Sequence, residues 1–182
     1  MYEEEIIMKH LTLQDLIDKE EIYDTLMRYT HSMDRLNDDM LRSVFWPDAV
    51  VAFPSDVYQG DVMGFLDNFL LRQLHVEFSR TQHFVGNFRC EIEGDVAYVE
   101  AYLMANHRGT ADHYKWANKH VILWGRYIQR YERRNGEWKI AEHRLLIDFE
   151  KELEGGWHDL PDHQMGKRDG TDPSETHEPW KG

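Results

Sequence analysis

"RTQHFVGNFRCEIEGDVAYVEAYLMAN", residues 80–106, decides how the chain folds. Its residues alternate with a period of two. "EGD" at Glu93 to Asp95 breaks the run in the middle, so it reads as two long strands joined by a tight turn. On the first strand the alternation puts Thr81, His83, Val85 and Asn87 on one face. Gln82, Phe84, Phe88, Cys90 and Ile92 lie nearer the other. Gly86 leaves room for a bulge, which limits this parity to the residues before it.

Downstream the same period continues. "HVILWGRYIQRYERR" is a third strand and "EWKIAEHRLLIDF" a fourth, with Asn135-Gly136 between them as a strong hairpin signal. Upstream the period is helical. Thr12 and Asp15 form a capping-box pattern with Asp in place of Glu. Leu13, Leu16 and Ile17 begin an apolar stripe that Ile22, Leu26, Tyr29 and Met33 continue, and the step from Ile17 to Ile22 predicts a face change or a break near Asp18. "NDDMLRSVF" reads as a second helix, capped by Asn37 or Asp38 and stopped by Pro47. "AVVAF" is a short strand, and "DVMGFLDNFLLRQL" gathers Val62, Phe65, Leu66, Phe69 and Leu70 on one helical face.

Helices followed by an antiparallel meander give an α+β class. No glycine-rich phosphate loop follows a strand, so a nucleotide has no visible seat. The expected division is an N-terminal extension at 1–11, one domain at 12–150, and an extended tail at 151–182 rich in Gly, Asp, Pro and His.

Composition narrows the function. The chain has 182 residues, 41% of them hydrophobic and 13% aromatic, enough for one packed domain. Acidic side chains outnumber basic ones by 34 to 21, a net charge of −13, which disfavours nucleic acid. A single cysteine, Cys90, excludes an internal disulfide framework. The N-terminus lacks a signal-peptide pattern, and no stretch approaches the roughly 18 apolar residues of a membrane span. A cytoplasmic protein without membrane contact is expected. His107, His113 and His120 are spaced by six and seven, which matches no metal-ligand pattern. They read as a polar loop, and no metal is expected.

The chemistry-bearing residues are Asp34, near the end of the long helix, and His83, in mid-strand. A carboxylate bonded to one imidazole nitrogen fixes the tautomer and raises the basicity of the other nitrogen, which suits proton abstraction. An inward Asp34 would need such a partner.

"LMRYTHSMDRLNDDMLRSVFWPDAVV", "TQHFVGNFRCEIEGDVAYVEAYL" and "GRYIQRYERRNGEWKIAEHRLL", in this order, resemble the SnoaL-like branch of the nuclear-transport-factor-2-like superfamily. The resemblance implies a cone-shaped α+β barrel, in which a curved, mostly antiparallel sheet wraps N-terminal helices around a deep pocket. Members include dehydratases, a dehydrochlorinase, polyketide cyclases and arylpropane lyases, and also non-catalytic accessory subunits of ring-hydroxylating dioxygenases. Several of the enzymes use an Asp–His dyad, which falls here on Asp34 and His83, with Tyr29 upstream. A cationic residue of the dehydrochlorinase falls on His143, and the resemblance implies that Tyr29 and His143 assist departure of a small group or polarise a neighbouring oxygen. Pocket-lining positions implied by the resemblance are Val51, Phe53, Thr81, Tyr98, Tyr102, Gly125, Tyr127, Leu145 and Ile147.

The expected activity is a cofactor-independent lyase. It would eliminate water, or formaldehyde from an arylpropane diol, from a small aromatic or polycyclic hydroxylated molecule. A cyclase or isomerase, or a binding subunit, is the alternative. A homodimer or homotrimer is implied, and Trp157 or His158 in the tail is a candidate lid.

Overall fold

The structure, a computed structural model, describes residues 11–54, 57–155, 160–161 and 165–177. Helix α1 (Leu13–Arg35) starts at Thr12, whose hydroxyl accepts from the Asp15 amide at 3.1 Å while the Asp15 carboxylate accepts from the Thr12 amide at 2.8 Å. Of the two alternatives near Asp18, the helix runs on without a break and the apolar face changes. Leu13, Leu16 and Ile17 are exposed, so they are no part of the inward stripe. That stripe runs through Asp18, Ile22, Leu26, Tyr29 and Met33 without interruption. Asp18 is buried because it accepts from Arg133 at 2.9 Å and from the Trp138 indole at 3.1 Å.

Leu36 closes α1 in the left-handed region, at φ 57°, which reverses the chain just after Asp34. Asn37 then caps α2 (Asp38–Ser43), accepting from the Met40 amide at 3.1 Å. Strand β1 (Phe45–Ala52) follows, and its pairing slips between Phe45 and Val50, where Pro47 cannot donate to the ladder. After β2 (Gln59–Asp61), helix α3 (Val62–Phe65) widens into two looser turns, Leu66–Leu70 and Gln73–Glu77. Val62, Phe65, Leu66 and Leu70 are buried on its inward side.

Four long strands complete the sheet: β3 (Phe78–Glu93), β4 (Val96–Gly109), β5 (Lys119–Arg134) and β6 (Glu137–Glu154). Strand β6 runs past the domain boundary expected at 150. Asn135 and Gly136 make the predicted hairpin turn with positive φ at both residues, 54° and 86°. The six-stranded sheet has the order β2-β1-β6-β5-β4-β3 and is antiparallel except for β1 against β6. It is curved and unclosed, and α1 packs on β3 and β6 across the concave side. The register shift between Gly86 and Arg89, with Asn87 at φ 46°, is the bulge for which Gly86 leaves room, and it turns Phe88, Cys90 and Ile92 onto the core side with His83. A short helix, α4 (Pro173–Thr176), lies in the C-terminal segment.

Candidate active site

The last turn of α1 and the inward face of β3 meet at Asp34 and His83. The His83 Nδ1–H donates to Asp34 Oδ1 at 2.8 Å, and the His83 amide donates to Oδ2 at 2.9 Å. The Thr81 hydroxyl donates to Oδ1 at 2.9 Å. Burial raises the pKa of the Asp34 carboxyl, but these bonds and the attraction of the His83 ring outweigh it and hold the group below the usual carboxylate range. Asp34 is therefore an ionised acceptor. With the Nδ1 proton of His83 directed at that acceptor, Nε2 is the ring nitrogen not engaged by Asp34.

His83 lines a cavity of about 240 Å³ walled largely by apolar and aromatic side chains, among them Phe53, Phe69, Phe78, Leu103 and Trp116. Tyr29 and Tyr127 also line it. Behind Tyr29 runs a buried chain of hydrogen bonds. The Tyr131 hydroxyl donates to Gln129 Oε1 at 2.9 Å, which leaves the Gln129 amide NH₂ to donate to His143 Nδ1, also at 2.9 Å. The His143 proton then sits on Nε2 and is donated to the Tyr29 hydroxyl oxygen at 3.0 Å. Burial pushes His143 down to about 3, so it is neutral near pH 7 and fits this chain. Burial also pushes the Tyr29 phenol up, against a hydrogen bond with Tyr127 that favours its oxygen as acceptor.

These positions sort the sequence-derived candidates. Tyr29, His83, Phe53, Tyr127, Leu145 and Ile147 reach the cavity. Asp34 and Thr81 stand behind His83. Val51 and His143 are buried away from the cavity, so His143 reaches a ligand only through Tyr29. Tyr98 and Tyr102 are misplaced by the sequence reading. They are 49% and 48% exposed, because the inward face of β4 is made by Ala97, Val99, Ala101, Leu103 and Ala105. Gly125 is buried, where a Cβ would strike the Leu146 carbonyl oxygen at 2.2 Å, so it serves close strand packing rather than the cavity. Trp157 and His158 lie outside the described residues.

His107 is the notable residue that sequence reasoning missed. It and His120 lie in strands, not in the loop expected for them, and His107 lines the cavity. Burial, followed by its neighbour His83, pushes it down to about 3. Continuing the odd-numbered inward series of β4 by one step would have found it. Lys115 and Glu150 bring opposite charges to the cavity lining. Among the described residues, no group of three His, Cys, Asp or Glu side chains is arranged to hold a metal ion, and no helix is long and apolar enough to cross a membrane.

A family profile described as a SnoaL-like domain matches residues 14–144. The chain belongs to the SnoaL-like family. A search of curated proteins by sequence gave no match. Among solved structures, a type 2 hexachlorocyclohexane dehydrochlorinase superposes with a TM-score of 0.68 at 21% identity, covering 82% of this chain and 97% of its own. A candidate scytalone dehydratase from Novosphingobium aromaticivorans gives 0.68 at 18% identity, covering 83% and 100%. A type 3 dehydrochlorinase from Novosphingobium barchaimii gives 0.67 at 20% identity, covering 82% and 98%. These likenesses establish the SnoaL-like cone fold.

Proposed function

We propose that this SnoaL-like protein is a cofactor-independent lyase acting on a small hydroxylated aromatic molecule. The observation that carries the reading is His83, held by Asp34 at 2.8 Å on one ring nitrogen and bordering an aromatic-lined cavity. Its Nε2 acts as the general base, a role worth about a hundred- to ten-thousand-fold in rate. Tyr29, whose oxygen accepts from His143, donates its own proton to the departing oxygen. Its raised pKa suits it to hydrogen-bond donation rather than to a phenolate role.

In dehydration, His83 removes a proton from carbon, the electron pair forms the double bond, and the hydroxyl leaves as water with the Tyr29 proton. In loss of formaldehyde from an arylpropane diol, His83 removes the terminal hydroxyl proton and the bond to the hydroxymethyl carbon breaks. That electron pair forms the alkene as the neighbouring hydroxyl departs as water with the Tyr29 proton. The cavity of about 240 Å³ is at the small end for ligand sites, which favours a single substituted ring over a polycyclic substrate.

The test is a mass-spectrometric incubation with hydroxylated aromatic and arylpropane-diol compounds, without added cofactor or metal. Loss of water or formaldehyde supports the lyase. Isomerisation without mass loss would replace it with an isomerase, and binding without turnover with an accessory subunit.

A further inference from the structure

The C-terminal segment at 165–177 lies over the end of α1, and one side chain fastens it there. Arg168 spreads its guanidinium over four main-chain carbonyls. Its Nε donates to Asp34 at 3.1 Å and Nη1 to Phe78 at 2.9 Å, while Nη2 reaches Met33 at 3.3 Å and Leu74 at 3.4 Å. Nη2 also lies 3.5 Å from the Thr81 hydroxyl oxygen, and that hydroxyl donates to Asp34 Oδ1 at 2.9 Å.

The carbonyls of Met33 and Asp34 belong to the last turn of α1, where no further helical amide can reach them. A cation there also complements the negative end of the helix dipole. A planar fork with five N–H donors can serve several carbonyls at once, which an ammonium group cannot do in the same geometry. The segment has further anchors. Arg35 donates to the Lys167 carbonyl at 3.2 Å and lies 3.8 Å from the Asp172 carboxylate. Asn37 donates to Glu175 at 2.9 Å.

We infer that Arg168 is a positioning residue of the candidate site: by gripping the end of α1 and the start of β3 together, it sets the Asp34 carboxylate against Thr81 and His83. The inference rests on the reading of Asp34 and His83 as the working dyad. The C-terminal segment is thus part of the site. The charged and titratable groups around this point are Asp34 and Arg35 from α1, Arg80 and His83 from β3, His107 from β4, and Asp172 from the segment itself. Burial lowers Arg168 to about 10, against the attraction of Asp34, so it remains a cation near pH 7.

The experiment follows the Asp34 carboxyl by ¹³C NMR in the full chain labelled at aspartate, with the resonance assigned by Asp34→Asn. Arg168→Met should move the Asp34 midpoint up by about one pH unit, and Arg168→Lys should move it by less. Glu175→Ala, which loosens the same segment without touching Arg168, should leave it in place. Arg168→Gln in the full chain should shift the midpoint in the same direction, which keeps the test decisive if Arg168→Met folds poorly. An Arg168→Met midpoint equal to wild type, or a Glu175→Ala shift of equal size, would overturn the inference and reduce Arg168 to a tether. The titration needs no turnover, so absence of lyase activity would count against the proposed function alone. Where turnover is found, Arg168→Met should lower kcat by about ten- to a hundredfold with KM little changed.

Discussion

His107 presents its ring edge-on to His83, with 5.4 Å between the ring centroids. Each is therefore part of the other's surroundings. Burial and this neighbour keep His107 neutral, and burial alone does the same for His143. Both stay unprotonated in the fold at pH values where the unfolded chain takes up a proton.

Stability should therefore fall with acidification. The folded pKa of each histidine is about 3, below the ordinary value of 6.5. The unfolded state binds the extra proton first as pH drops through that ordinary value. Each group then removes at most about 1.4 kcal/mol per pH unit until its folded pKa is reached. Urea unfolding at a series of pH values should show a midpoint that declines below about pH 6.5, less steeply in His107→Gln. A midpoint independent of pH over that range would contradict the burial assigned to both rings.

Tyr29→Phe separates the roles of the cavity and the chain behind it. Removing the hydroxyl leaves the His143 Nε2–H without its 3.0 Å acceptor. That orphaned buried donor should cost about 1–3 kcal/mol of stability. For any substrate turned over, kcat should fall by about a hundredfold with KM nearly unchanged. Steady-state kinetics beside thermal unfolding checks both halves.

Asp18→Ala should destabilise the fold without touching the site. Its carboxylate holds the Trp138 indole N–H and the Arg133 guanidinium at one edge of the core. Truncation strands the buried Trp138 donor, while Arg133 keeps its bond to Asp95, and should cost about 1–3 kcal/mol. Denaturant unfolding would read this directly.

The outer face of the sheet carries a row of apolar residues across four strands. Phe84 pairs with Met104, Met104 with Trp124, and Trp124 with Phe149, with Phe84 67% and Phe149 60% exposed. Such a row is costly to leave in water. We propose that the expected homodimer or homotrimer covers it. Sedimentation should give an oligomer for the wild type and a monomer for Phe84→Glu. A monomeric wild type would contradict this.

Much of the architecture was readable from local pattern. The Thr12–Asp15 cap, the Asn135-Gly136 turn and the alternation of β4 each follow from short-range chemistry, and each is found in the structure. Alternation also shows where the sequence reading erred. The inward series of β4 is small and apolar and ends in His107, whereas the family resemblance implies the opposite parity, with Tyr98 and Tyr102 inward. The choice between a face change and a break in α1 was not legible because Asp18, a charged residue, belongs to the buried stripe. Nothing local announces Arg168, since its partners are main-chain carbonyls far away in sequence.

Whether Asp34 orients His83 as a base is tested by comparing turnover by wild type, His83→Ala and Asp34→Asn on the substrate found in the aromatic panel. The value of kcat should fall by about a hundred- to ten-thousand-fold in His83→Ala, with a large loss in Asp34→Asn, while circular dichroism shows each variant folded. Turnover that survives both substitutions would remove the dyad from the reaction.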